Sequence, residues 1–201
     1  MARPKFDDSD FLNAALAIAA DGGPAMVTVG AITDRLKAPT GSFYHRFASR
    51  NALLGELWLR TVLEFRHGIR EALDDGDGLG ACLHTPAWAR LNLDKARLLL
   101  LYHRDDFVQG EWPDELRQGV AAQAAQIKAG TARFARLVFG HDGPEDLRRA
   151  QFLLAEVPLA VVGQHLRRRE PPPHIVDALI RITFRAVVEE RRNVETEAGG
   201  A

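Results

Sequence analysis

The 201-residue sequence has a single cysteine, Cys82, almost no net charge and no long apolar run. One thiol cannot form an intramolecular disulfide, so a disulfide-stapled secreted domain is excluded. A formal net charge of -1 gives no global affinity for nucleic acid, and any DNA-binding role must come from a local arrangement. No stretch reaches the roughly 18 uninterrupted apolar residues of a membrane span, and the first residues carry no signal-type apolar segment. We therefore expect a cytoplasmic protein with no membrane partner.

Motifs for metal binding and catalysis are also missing. The seven histidines form no HExxH or similar ligand spacing, and Cys82 has no CxxC partner. The tripeptide His103-Arg104-Asp105 matches part of a kinase catalytic loop, but no glycine-rich loop, strand lysine or DFG accompanies it. We expect no enzyme activity, no catalytic residue, no metal site and no cofactor.

Apolar residues recur at helical spacing along most of the chain, and no alternating strand pattern is bounded by hairpin signals. The sequence therefore predicts an all-α protein. The expected helices cover residues 8–22, 29–36, 42–47, 50–75, 87–94, 95–107, 113–139 and 144–168, with a last one after the prolines at 171–173 that ends near 192. The stretch 76–86 is weakly patterned, and Pro158 is expected to bend or locally open its helix.

Two short helices joined by a tight break, with an aromatic-rich stretch after it, are typical of a helix-turn-helix. A recognition helix needs small or hydrogen-bonding residues on its outward side to enter a major groove about 12 Å wide. Thr40, Gly41 and Ser42 meet that need at the start of the second helix. Phe43 and Phe47, four residues apart, are expected to be buried behind them.

The remaining polar residues of this segment are candidates for contact with DNA. Tyr44, His45 and Arg46 are expected to face phosphates or base edges. Thr28 and Arg50 each stand at a helix N-terminus, where a hydroxyl or a cation suits a phosphate.

The run from Thr28 to Leu53, TVGAITDRLKAPTGSFYHRFASRNAL, resembles the DNA-binding domain of tetracycline-repressor-type (TetR family) regulators. The resemblance covers about residues 8–55; the rest of the chain is similar only in length and helical makeup. It implies that Thr40, Ser42 and His45 approach bases. Phosphates would be held by Thr28, Tyr44 and Arg50. It also implies an N-terminal three-helix helix-turn-helix domain followed by a larger helical ligand-binding and dimerisation domain.

Three positions depart from the family pattern. Lys37, which we include among the DNA-binding candidates, stands where the family usually has glycine, so the turn is expected to force it into a left-handed conformation. Ala31 replaces a common acidic residue, which prevents a reciprocal capping box with Thr28. Pro39 replaces a small hydroxyl residue and removes that cap.

The last two long helices carry more apolar surface than one core contact needs, and we predict that they form a two-fold dimer interface. The candidate residues are Phe152, Val157, Val161, Ile175, Leu179, Ile182 and Val187. The alternative, that both helices are interior to a monomer, stays open. The predicted domains are residues 1–49 for DNA binding, 50–192 for regulation and dimerisation, and 193–201 as a flexible tail.

Aromatic and histidine residues of the middle region could line a ligand pocket, although such residues more often belong to an ordinary core. The candidates are Trp58, His84, Trp88, Tyr102, His103, Phe107, Trp112 and Phe134. Arg3 and Lys5 fit either a solvated chain end or a minor-groove arm.

Together these features predict a homodimeric transcriptional regulator that binds an inverted-repeat operator in double-stranded DNA and is released, as a repressor, by a small apolar effector. One alternative is a helical ligand- or partner-binding protein that has lost DNA binding. An all-α enzyme that uses the aromatic pocket is a third.

Overall fold

The computed structural model describes residues 6–107 and 113–199, and within these ranges the chain is helical with no β-strand. The all-α prediction is confirmed. The helices are α1 (Asp8–Gly22), α2 (Val29–Leu36), α3 (Thr40–Tyr44), α4 (Arg50–Asp74), α5 (Gly78–Leu91), α6 (Leu93–Leu101), α7 (Arg104–Phe107), α8 (Asp114–Phe139), α9 (Pro144–Gln151), α10 (Val157–Arg167) and α11 (Ile175–Gly199). No helix in the described ranges combines the length and apolarity that a membrane crossing requires.

The first two helices begin at side-chain caps. Asp7 caps α1 in a reciprocal capping box with Asp10. Thr28 caps α2, because its Oγ1 accepts a hydrogen bond from the Ala31 amide at 3.0 Å, as its place in the sequence predicts.

The first of two compact units comprises the described residues of Met1–Leu63 and Asn92–Ala121. Its core includes Phe11, Ile32, Phe43, Leu53 and Leu98. Arg97 is buried and donates from Nε and Nη2 to the Ala20 carbonyl at 3.0 and 2.8 Å, which joins α6 to the last turn of α1. This packing explains why residues 50–63 and 92–121 cluster with the N-terminal helices, whereas the sequence placed a division at 49/50.

The second unit comprises Glu64–Leu91 and the described residues of Ala122–Ala201. Its core includes Cys82, Phe134, Leu153 and Ile180. Burial raises the pKa of the Cys82 thiol to about 12, so the thiol is protonated and inert at neutral pH.

A buried carboxylate ties two helices of the second unit together. Asp146 of α9 is 4% exposed and accepts from Arg191 of α11, at 2.6 Å from Nε and 3.1 Å from Nη2. Arg149 Nη1 donates to the same carboxylate at 3.3 Å. The hydrogen bond from Arg191 holds the pKa of Asp146 below its usual value.

Several helix boundaries correct the sequence-based ones. Residues 78–86 are helical, and α5 continues through Pro86 to Leu91. The helix α11 extends to Gly199, past the predicted end near 192 and into the expected tail. Pro158 does open its helix, because a π-helical turn, Phe152–Glu156, precedes it.

Candidate nucleic-acid interface

The short helix α3 is fixed from behind by aromatic rings. Phe43 is fully buried, and its ring lies 6.1 Å from Phe11 and 5.5 Å from Phe47. Both phenylalanines therefore face inward as predicted. Tyr44 packs edge-on to Phe43 at 5.3 Å between ring centroids, so its ring is oriented while the side chain remains 59% exposed.

The opposite side of α3 is polar and open. Thr40, Gly41, Tyr44 and His45 are exposed, and Ser42 is partly exposed. A Cβ placed on Gly41 would meet no atom within 4 Å, so the start of the helix is unobstructed. The surface has the small, hydrogen-bonding character that entry into a major groove requires.

The turn between α2 and α3 adopts the strained conformation expected of Lys37. Its φ of 53° lies in the left-handed region, where residues other than glycine are disfavoured. The Lys37 and Ala38 amides donate to the Asp34 and Thr33 carbonyls at 3.2 and 2.9 Å, which closes α2. Lys37 is exposed beside α3, so its ammonium is available to a phosphate.

Arg46 does not face outward, which corrects its predicted orientation. Its guanidinium donates to the Phe6 carbonyl at 2.5 Å and the Ser42 carbonyl at 2.9 Å, and it pairs with Asp8 at 3.3 Å. It also lies 5.5 Å from the centroid of the Phe11 ring. With 19% of its side chain exposed, Arg46 holds the end of α3 against the start of α1.

Replacing Arg46 by methionine is expected to lower the free energy of unfolding by about 2 kcal/mol, because charge-assisted hydrogen bonds are lost while the aliphatic stem is kept. Operator affinity should also fall, because α3 would be held less firmly against α1. The salt dependence of binding should stay unchanged, since Asp8 already neutralises this cation. Denaturant titration and salt-titrated gel shifts measure the two effects.

The control for this variant is Arg35→Met, at an exposed cation on α2. A salt slope about one unit lower for Arg46→Met, with unchanged stability, would restore the direct DNA contact that the sequence suggested.

Arg50 is also engaged within the protein. Its Nη2 donates to the Pro24 carbonyl at 2.7 Å and its Nε to the Val27 carbonyl, and Nη1 reaches Asn51 Oδ1 at 3.2 Å. Arg50 thus fixes the loop before α2 to the start of α4. The predicted phosphate contact of Arg50 stays a prediction. Such a contact would share the guanidinium with these hydrogen bonds. Thr28 is exposed, but its hydroxyl already caps α2.

Sequence reasoning missed Asp8 and Phe6 as parts of this surface. Both precede the run Thr28–Leu53 that carries the resemblance, and both bind the side chain of Arg46 at the end of α3. No local spacing relates residues 6 and 46, so only the tertiary structure reveals the connection.

The predicted ligand residues are divided between the two compact units. Trp58, Tyr102 and Phe107 belong to the N-terminal unit and pack with its core, whereas His84, Trp88 and Phe134 belong to the second unit. Phe134 is fully buried against Phe139, and His103 is exposed. Trp112 lies outside the described residues. Most of these side chains are core residues, which fits the ordinary packing that the sequence also allowed, and a ligand pocket among them stays a prediction.

His84 is the exception among them. Its ring lies tilted against Phe65 at 5.2 Å between ring centroids, and the Phe65 ring in turn lies 5.0 Å from Trp88. The His84 Nε2 is buried with no hydrogen-bond partner among the described residues, and burial lowers the His84 pKa. A Cβ at Gly68 would lie 2.2 Å from His84 Cε1, so glycine there makes room for the imidazole.

The predicted dimer residues fall into two groups. Phe152, Ile175, Leu179 and Ile182 are exposed large apolar side chains. Val157, Val161 and Val187 are partly buried against the core of their own unit, and their place in a dimer interface stays a prediction. Val176 and Ile180, on the other row of α11, are buried.

Comparisons with known proteins agree with this geometry. Residues 11–57 match the family model described as "Bacterial regulatory proteins, tetR family". A crystal structure from Shewanella sp. PV-4, assigned to the tetR family of transcription regulators, shares the fold with a TM-score of 0.63. It is 20% identical, and the superposition covers 92% of this chain and 96% of that one. No curated protein matches the sequence.

The fold and the exposed helix α3 define an all-α helix-turn-helix protein. The resemblance to the TetR family is confirmed, and the matched N-terminal segment is a DNA-binding domain of that family. These findings support a DNA-binding transcriptional regulator.

Proposed function

We propose that the protein acts as a homodimeric repressor that binds an inverted-repeat operator through α3 and is released by a small, largely apolar effector. The observation that carries this proposal is the polar, unobstructed outer surface of α3, which is backed by the buried rings of Phe43 and Phe47. Thr40, Ser42 and His45 are proposed to approach bases, and Thr28, Lys37, Gly41, Tyr44 and Arg50 to lie against the phosphate backbone.

Dimerisation is supported by the outer face of α11. Ile175, Leu179 and Ile182 follow a spacing of four and three residues, and they are 62, 46 and 63% exposed. Phe152 and Leu159, in and after the π turn, add two more exposed apolar side chains. A self-complementary apolar patch is what a two-fold interface requires, and two-fold symmetry predicts an operator with two inverted half-sites.

The effector site is proposed around His84, Phe65 and Trp88 of the second unit. The unpartnered Nε2 offers one hydrogen bond beside two aromatic rings, which suits an apolar molecule with a single polar group. For release, the effector must bind the DNA-incompetent state more tightly than the DNA-bound state.

Selection of binding sites from random duplex DNA, followed by salt-titrated gel shifts, tests the DNA-binding proposal. An inverted repeat should emerge, with affinity that falls steeply as salt rises. Ser42→Ala and Thr40→Val should change the preferred bases, whereas Tyr44→Phe should weaken binding to all sequences.

Lys128→Ala, at an exposed cation on α8, is the control that should leave the site unchanged. Recovery of no preferred sequence would instead favour a helical ligand- or partner-binding protein.

A further inference from the structure

The two ring nitrogens of His84 have different surroundings. Nε2 is buried and has no hydrogen-bond partner in the described part of the chain. The ring does form a hydrogen bond with the Phe65 backbone of α4, and that bond therefore involves Nδ1. Gly68, three residues after Phe65, makes this close approach possible, because a Cβ there would lie 2.5 Å from Nδ1.

These contacts fix the tautomer of the imidazole. A backbone carbonyl only accepts hydrogen bonds, so Nδ1 carries the hydrogen, and a neutral imidazole then has a bare lone pair at Nε2. Burial lowers the pKa of His84, which keeps the ring neutral at pH 7. His84 thus offers an acceptor, and not a donor, to a molecule that reaches Nε2.

The surroundings of the imidazole are aromatic. The Phe65 ring lies 5.2 Å from it, and Trp88 lies edge-on to Phe65 at 5.0 Å between centroids. Flat apolar side chains of this kind pack well against an aromatic ligand. The Glu71 carboxylate is close enough to act on the imidazole, and this negative charge disfavours an anionic effector.

The helix α5 is weakened between His84 and Trp88. Pro86 lies inside this helix, and proline has no amide hydrogen to donate to the Cys82 carbonyl one turn earlier. The two side chains therefore lie on either side of a break in the backbone hydrogen bonds. Local opening at this break costs less than in an uninterrupted helix.

We propose that the effector is a neutral aromatic molecule with one O–H or N–H group, of the phenol or indole type, which donates to His84 Nε2. The inference rests on the proposed function and adds the chemical class of its effector. Such a donor enters by local opening of α5 at Pro86 and supplies the partner that the buried lone pair lacks, while its ring packs against Phe65 and Trp88. A ligand that only accepts hydrogen bonds leaves Nε2 unpaired and binds less tightly.

Indole and benzofuran separate the two chemistries, because their bicyclic frames match in size and only indole carries an N–H. Calorimetric titration of each probe into the full-length protein should show about tenfold tighter binding of indole. His84→Leu should lose this preference, so that both probes bind alike. The control, His141→Leu, removes an exposed histidine and should keep the preference. Thermal unfolding of both variants verifies that they fold.

Nitrogen-15 NMR of the unmodified protein with labelled histidine tests the tautomer without any substitution. The His84 ring should show a protonated Nδ1 and a bare Nε2. Indole should shift the Nε2 resonance in the direction of hydrogen-bond acceptance, and benzofuran should shift it far less.

The proposed effector class would be overturned by equal affinities for the two probes, by a preference that survives His84→Leu, or by a hydrogen on Nε2 in the unliganded protein. Absence of binding by both probes up to their solubility limits would overturn it as well. These measurements use no DNA, so their failure is distinct from that of the proposed function. If indole binds with the expected preference but no operator is selected, or operator affinity stays unchanged, the proposed function fails while the ligand class of the site is retained.

Discussion

The variant Leu179→Glu/Ile182→Glu is expected to be monomeric and to lose about a hundredfold or more of its affinity for the inverted repeat. Both residues lie on the exposed apolar face of α11, and two-fold symmetry would bring four carboxylates together in a desolvated interface. Without the second subunit, each helix-turn-helix binds its half-site alone and the gain from effective concentration is lost. Sedimentation equilibrium and operator gel shifts measure the two effects.

Ile127→Glu/Leu137→Glu is the matched control, at two exposed apolar residues on α8 that belong to no predicted interface. It should keep the oligomeric state and the operator affinity of the unmodified protein. A dimer that survives glutamate at 179 and 182, or an unmodified protein that is a monomer at the concentrations where it binds DNA, would contradict the proposed interface.

Replacing Asp146 by asparagine is expected to lower the free energy of unfolding of the second unit by about 3 kcal/mol at pH 7. The change leaves Arg191 and Arg149, with 16 and 19% of their side chains exposed, without their shared counter-charge. The pKa of Asp146 is lowered in the folded state, so its stabilisation is complete above the unfolded-state pKa. It is then lost as pH falls through the folded-state pKa. Denaturant titrations at pH 7, 5 and 3 should therefore show the difference from the unmodified protein shrinking only in acid.

Glu145→Gln is a close control, because Glu145 also pairs with Arg149 but is 84% exposed. Exposed pairs contribute less than about 1 kcal/mol, so this variant should stay near the unmodified protein. Equal losses for both variants, or a loss for Asp146→Asn that persists undiminished at the lowest pH, would rule out the buried pair as the cause.

Local chemistry made part of this structure predictable from sequence. The Thr28 cap, the left-handed Lys37 and the opening of the helix before Pro158 each depend on residues within a few positions of one another. The inward orientation of Phe43 and Phe47 follows in the same way from their spacing.

The remainder depends on contacts between distant segments. α5 has no apolar stripe because small residues are buried on several of its sides, among them Gly78, Ala81 and Ala89. Its sequence pattern therefore resembles that of a loop. The orientation of Arg46 is set by Phe6 and Asp8, about 40 residues earlier, and the residue type alone does not distinguish an inward guanidinium from an outward one. For the same reason, aromatic residues of the two cores were indistinguishable in sequence from pocket residues.

The burial of Cys82 has a practical consequence for site-specific labelling of this protein. The Cys82 side chain is fully buried, so the natural thiol is shielded from maleimides while the protein stays folded. A cysteine introduced at exposed Ala48, just after α3, or at exposed Asn193 of α11 would then be the single labelled position, without prior removal of Cys82. A fluorophore or spin label at either place would report separately on operator engagement and on subunit association.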